Sequence, residues 1–420
     1  MRARTLACLL GVLSLSAPAL AGPPRLVKQL PVPTDREYHL LNPDRYVQVR
    51  VERLLAEPPN RCLDGLAVTV VDLAKLEAVE LRIDLKPLVA ERAEMFLDGQ
   101  PTWQNQAGDT HASFQVKLLR YDPERGRSGL LVDNRPPDEG GAWRRRLLYV
   151  PWDPRENRLG KEIVLHEVEG DRSSPDARRF TELGPDPTGR YEYFLATEKL
   201  PEDDSGRSAT RLLALRLDLD TRQVDWRYSL ETAPASRPAF GSFGTFLGGL
   251  SRDGGLLLLA EYTETWDTPL EPPPEVRIID VAKQSHFGLP ILHTPYGLVV
   301  GPQAQLLVVA NSQDRKLVAY DLDKRARLRD AAAPGQVHKA VLSRDGKGVW
   351  LFARGRTLEL RALPTLKLQA SFPIGKLLPG TPALDAERSA VTLDGRFLVA
   401  PEADPHGFGK DQGLFVLELP

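Results

Sequence analysis

The residues of this chain that are able to do chemistry are few and scattered. There are seven histidines and two cysteines in 420 residues. No His-x-x-x-His pair and no Cys pair is present, so no stretch reads as a metal-binding motif. His293, His338 and His406 would have to converge in space to hold a metal, and no spacing requires it. No Gly-x-Ser-x-Gly elbow occurs; in Phe240-Gly241-Ser242-Phe243-Gly244 a Phe stands where the first Gly belongs. No phosphate-cradling glycine loop opens a helix. Glu202-Asp203-Asp204-Ser205-Gly206 offers the oxygen ligands that Ca²⁺ takes but has no spaced continuation, and reads as a solvated loop. Arg144-Arg145-Arg146 beside Trp143 reads as a solvated strand end. Cys62 follows Arg61, and nothing marks it as a nucleophile. The remaining candidates are Phe246, Tyr296, His338 and Glu387, which fall at one recurring place in the chain, and His406 in a late loop.

That place is defined by a turn. Ser251-Arg252-Asp253-Gly254, Ser343-Arg344-Asp345-Gly346 and Thr392-Leu393-Asp394-Gly395 each separate two apolar runs, and Gly301-Pro302-Gln303-Ala304 takes the same position. Asn42-Pro43-Asp44-Arg45 and Asp186-Pro187-Thr188-Gly189 are looser copies. Asp-Gly suits a tight hairpin because both residues tolerate positive φ. A second landmark closes a third run: Val70-Val71-Asp72-Leu73, Leu217-Asp218-Leu219-Asp220, Ile278-Ile279-Asp280-Val281 and Ala319-Tyr320-Asp321-Leu322. A polar stretch and a fourth run follow. The turns recur about every 40–50 residues, the period of a propeller blade.

The units are residues 36–87, 92–170, 178–231, 240–290, two compact copies within 296–375, and 377–419. The last shows only three runs, and Leu26-Val27-Lys28-Gln29-Leu30-Pro31-Val32-Pro33 resembles the missing fourth. The expectation is an all-β, seven-bladed β-propeller, with eight blades as the alternative, closed by the N-terminal strand completing the last blade. Closure leaves only short, protected edges. Aligned on the Asp-Gly turn, Phe246, Tyr296, His338 and Glu387 then sit near the start of the first, channel-lining strand. Long connections between second and third strands, at residues 56–65, 199–208, 266–275 and 403–413, should crowd the same face, and His406 would reach inward from the last of them.

Asn311-Ser312 followed by Leu317-Val318-Ala319-Tyr320-Asp321-Leu322 resembles the body of a YVTN-type or WD-like propeller repeat. The stretch from Leu217 to Trp226 is similar to repeats of quinoprotein-like propellers, in which a Trp after the turn packs against the next blade. Arg222 stands where that repeat usually has Gly, and only one unit carries the Trp, so no cofactor is expected. Such propellers host unrelated activities. The expected function is a scaffold that binds a protein or peptide of the cell envelope, or a small ligand, through the long-loop face. The alternative is a lactonase-like or amine-dehydrogenase-like enzyme with its active site at the channel mouth.

Arg2, Arg4, the apolar run Leu6–Leu15 and Ala19-Leu20-Ala21 read as a signal peptide over residues 1–21, with the propeller domain over 22–420. A periplasmic or secreted protein follows. One cysteine then remains, so no internal disulfide can form. No later run is long enough to span a membrane. The net charge of −2, with Lys and Arg spread through the chain, gives no nucleic-acid footprint.

Overall fold

The computed structural model describes residues 22–31, 38–42, 45–55, 61–85, 88, 114–134, 143–170, 178–186, 188–202, 208–231, 245–262, 275–291, 295–301, 305–310, 315–353, 356–378, 384–385, 389–392, 394–401 and 413–420. The signal-peptide region lies outside them. Among the described residues, apart from helical Leu88 and a single-turn helix at Ile374–Leu377, the regular elements are antiparallel strands.

Strand β1 (Arg25–Leu30) leaves the N-terminus. The first sheet is β2 (Tyr38–Asn42), β3 (Arg45–Leu55), β4 (Arg61–Asp72) and β5 (Glu77–Asp84). The second contains β6 (Phe114–Arg120), β7 (Gly129–Asn134), β8 (Trp143–Asp153), β9 (Arg158–Leu159) and β10 (Ile163–Gly170). The third is β11 (Arg178–Pro185), β12 (Tyr191–Glu202), β13 (Ser208–Asp218) and β14 (Gln223–Glu231). The fourth is β15 (Thr245–Leu250), β16 (Leu256–Tyr262), β17 (Glu275–Asp280) and β18 (Ser285–Pro290). The fifth is β19 (Pro295–Gly301), β20 (Gln305–Ala310), β21 (Lys316–Asp321) and β22 (Ala326–Ala332). The sixth is β23 (Val337–Leu342), β24 (Gly348–Ala353), β25 (Thr357–Ala362) and β26 (Leu368–Pro373). The last joins β27 (Ala390–Val391), β28 (Phe397–Pro401) and β29 (Leu414–Glu418) to β1.

The arrangement is that of a β-propeller, but the expected count of seven blades, or eight, is corrected to six. Six of the sheets are four-stranded blades, and the sheet over residues 114–170 is five-stranded. There the outer position is split: β10 pairs with β8 from Trp143 to Tyr149, and β9 pairs with Trp152 and Asp153. The break falls at Pro151, which has no N–H to give to a ladder. The Gly160 N–H donates instead to the Pro151 carbonyl at 2.7 Å. Sequence periodicity read this region as one blade with long loops and missed β9.

The ends of the chain meet as expected. β1 runs antiparallel to β29, with Gln29 opposite Phe415 and Leu30 opposite Leu414. First strands of consecutive sheets lie against each other, as β11 does on β15, β15 on β19 and β19 on β23, so they form the inner wall. The fourth strands form the rim. Bulges at Val27, Leu165, Asp225, Leu328 and Gln369 interrupt five of these outer strands near their starts. They twist exposed edges away from strand addition.

The core lies between sheets. In β24 all six residues are buried. Val349 and Leu351 pack toward the fifth sheet, Trp350 and Phe352 toward the last. In β16, Leu257 and Leu259 pack toward the third sheet, Leu258 and Ala260 toward the fifth. A strand covered on both faces must be apolar at every position. Each such side chain contributes about 1.5–3 kcal/mol by burial. Trp226, singled out by resemblance, does pack against the following sheet, among Leu257, Leu259, Ile279 and Val281.

Local chemistry sets the turns. Ser251 Oγ donates to Asp253 Oδ1 at 2.5 Å, the Gly255 N–H donates to the same oxygen, and the Leu256 N–H donates to Ser251 Oγ. Gly254 sits at φ +71°. The sets around Ser343 and Thr392 repeat this. At Asp186 the roles are exchanged: the carboxylate accepts from the Tyr191 N–H and from the Thr188 hydroxyl, and Gly189 takes the positive φ. In the turns between third and fourth strands, Asp72, Asp218, Asp280 and Asp321 accept backbone N–H groups two or three residues on. Arg222, at φ +57°, occupies the left-handed position that a Gly usually fills.

These tight turns all lie on one face and are tied together. Arg45 makes a two-pronged contact with Glu124 of the next sheet, and Arg127 does the same with Asp220 of the one after. Arg252 donates to the carbonyls of Ser343 and Arg344, two sheets away. Gly395 comes so close to the sixth-sheet turn that a Cβ would stand 2.7 Å from the Leu342 carbonyl oxygen. Gly126 also has positive φ but has nothing within 4 Å. Gly126→Ala should therefore cost only the left-handed conformation, about 1–2 kcal/mol. Gly395→Ala should cost more, because backbone must also move. Urea unfolding of the two variants measures the difference, and equal losses would contradict this packing.

Candidate functional site

The start of each first strand opens onto the face opposite the tight turns. Phe246, Tyr296 and His338 are each the second residue of their strand, in β15, β19 and β23. These are neighbouring strands of the inner wall, so the structure brings the three positions together. Register separates them. Phe246 stands opposite Glu261 in a regular ladder. Tyr296 falls between Pro295, opposite Ala310, and Gly297, opposite Val309. His338 falls in the same way between Val337 and Lys339, opposite Ala353 and Phe352. Both are bulge positions of the backbone ladder. Glu387, His406 and His293 lie outside the described residues.

The inner wall holds charges that motif reading missed. Lys117 of β6 forms an ion pair with Glu182 of β11, joining the first strands of the second and third sheets. Lys339 directly follows the His338 bulge. Burial lowers the pKa of its ammonium, and the Asp385 carboxylate opposes that shift. The wall beside it carries backbone with little side chain: Gly248 and Gly249 in β15 and Gly297 in β19. A lysine whose pKa is lowered by burial gives up its proton more readily than a free one. The only sequence clue to Lys339 was adjacency to His338; the depressed pKa comes from packing.

Other sequence candidates resolve into structure. Arg146 forms an ion pair with Glu167 across the β8–β10 ladder, in line with the strand-end reading of the arginine run. Cys62 stands opposite Leu54 in the β3–β4 ladder. Glu202 ends β12, and the acidic residues after it lie outside the described part. Among the described residues no cluster of three His, Cys, Asp or Glu side chains is placed to hold a metal, and no helix is long and apolar enough to cross a membrane.

Two of the expected long loops are sheet in part, and residues 56–60 and 203–207 within them lie outside the described residues. β3 and β4 continue to Leu55 and from Arg61, and β12 and β13 continue to Glu202 and from Ser208. Their flanking strands stop earlier: β2 pairs only as far as Val49 and β5 reaches Gly65, while β11 and β14 stop at Glu198 and Arg211. Among the described residues these ends form two-stranded ribbons. They extend about 10–13 Å past the sheet, at roughly 3.3 Å per residue. The connections at 263–274 and 402–412 lie outside the described residues.

No family model matches the chain, and no curated protein matches it. Among solved structures, a chain in a crystal structure of the mitotic checkpoint complex is similar at 12% identity and a TM-score of 0.46, covering 100% of this chain and 99% of that one. The site is therefore read from its own residues.

Lys339 gives a pH signature of definite sign. Its folded pKa lies below the ordinary lysine value of 10.5, so at pH just under 10.5 the unfolded chain holds a proton that the folded chain has lost. Stability then rises with pH on approaching 10.5. Denaturant unfolding between pH 8 and 10.5 should show this rise in the wild type and a smaller one in Lys339→Met. Parallel curves would show that the amine is not perturbed.

Proposed function

We propose that this chain is an exported binding scaffold that holds a protein or peptide partner on the face bearing the projecting ribbons and the channel mouth. The asymmetry of the two faces is the observation that carries this reading. One face is closed by tight, internally bonded turns around Asp186, Asp253, Asp345 and Asp394, two of them linked by Arg252. The opposite face carries the β3–β4 and β12–β13 ribbons and the bulged starts of β19 and β23. Binding residues concentrate where a rigid scaffold supports adaptable projections, and a propeller leaves one face free for them. Export is supported by the Arg2/Arg4 start, the Leu6–Leu15 run and the Ala19-Leu20-Ala21 sequence.

The test trims one ribbon. Glu198 and Arg211 are paired across β12 and β13, so residues 199–210 can be replaced by an Asn-Gly turn, which closes two-residue hairpins. The trimmed protein should fold with an unchanged melting temperature yet lose at least tenfold in recovery of a partner from the envelope fraction of its source cells. Equal recovery by wild type and trimmed variant would remove the ribbon from the binding surface. If His338→Ala instead abolishes turnover of a small substrate while partner recovery persists, the channel mouth is a catalytic site and the scaffold reading fails.

A further inference from the structure

Each outer strand of the ring ends its sheet with a row of N–H and C=O groups open to a further strand. Bulges interrupt that row in β1, β10, β14, β22 and β26. β18 has a regular ladder, but it ends at Pro290, and two of its side chains are taken up by neighbouring sheets. His286 is hydrogen-bonded to Tyr228 at 2.7 Å, and Arg325 lies 4.4 Å over the Phe287 ring. β5 has none of these features. It pairs with β4 without a shift, from Glu77 opposite Asp72 to Asp84 opposite Gly65. It contains no proline, and among the described residues no strand lies on its other side.

The two faces of β5 differ. Val79, Leu81 and Ile83 lie opposite Val70, Val68 and Leu66 of β4, on the face that packs toward the second sheet. Ile83 is buried and Leu81 half-buried, but Val79 is 56% exposed. Glu80 and Arg82 lie on the other face, and both are exposed. A regular, unbulged edge with an exposed apolar residue at one end is a template for strand addition.

We propose that β5 is a self-complementary edge through which two copies of this chain join, merging their first sheets across a two-fold axis. A two-fold antiparallel pair must be centred on a residue, since only residues of the same parity turn their free N–H and C=O groups toward each other. Two such registers keep seven residues of β5 paired. The one centred on Glu80 sets that carboxylate against its own copy, and like charges directly opposite each other destabilise a sheet. The one centred on Leu81 sets Leu81 against Leu81, Val79 against Ile83, and Glu80 against Arg82, the last two pairs occurring twice. The apolar pairs then lie on one face and the opposite charges on the other. Val79 is covered, and the open edge of the first sheet disappears.

Sedimentation equilibrium of the full chain tests this, at protein concentrations up to about 100 μM, where a dimer of modest affinity is populated. The wild type should show a mass twice that of the monomer. Glu80→Arg and Arg82→Glu each turn both opposite-charge contacts into like-charge ones, and each should raise the dimer dissociation constant roughly tenfold or more. Both side chains are exposed, so each variant should keep the wild-type melting temperature. Mixed in equal amounts, the two variants should dimerise with each other as well as the wild type does with itself, because basic groups of one then meet acidic groups of the other at both charged contacts. A monomeric wild type, a dimer that neither substitution weakens, or a mixture that fails to recover would each overturn the proposal.

Discussion

The structure depends on strands that are apolar on both faces. A sheet built on β24 or β16 cannot satisfy itself, because its middle strand presents large side chains in both directions. One neighbour would cover half of them. Only a ring supplies every sheet with two neighbours and leaves no open end. The ring in turn sets what the other strands can be. First strands meet around the axis and take small or charged residues such as Gly248, Gly297 and Lys117. Fourth strands meet water and carry bulges.

That hierarchy explains what could be read in the sequence. The Asp-Gly turns were legible because a left-handed backbone position admits few residues, and the Ser or Thr two places before the Asp completes a fixed bonding set. The terminal strand was legible because a three-run unit at one end and a lone run at the other complete each other. The ribbon residues 199–202 and 208 were read as loop, since Lys199, Glu202 and Ser208 are polar and give no two-residue alternation. The second sheet was only partly legible because one proline divides its rim strand. The buried Arg120–Glu192 ion pair was invisible, its partners being 72 positions apart and unremarkable in local context.

The candidate site shows the same division. Placing Phe246, Tyr296 and His338 at one level followed from aligning turns, and the backbone agrees. The bulges that set Tyr296 and His338 apart from Phe246 could not be foreseen, because an extra residue in a strand changes register without changing composition. Lys339 owes its altered proton affinity to what surrounds it, and its own neighbours in sequence are silent on that.

The pairing of β1 with β29 has a consequence for how the molecule is made. Arg25 contacts Glu418 across 393 positions of chain. The first folded segment to leave the ribosome is thus the last to find its place. Until the final five-residue strand arrives, Leu30 has no Leu414 to lie against, and the edge of the unfinished ring is exposed. A chain that stops short of Leu414 keeps almost all its sheets and lacks the one that locks them. The ring therefore closes only once Leu414–Glu418 is present to pair with Arg25–Leu30.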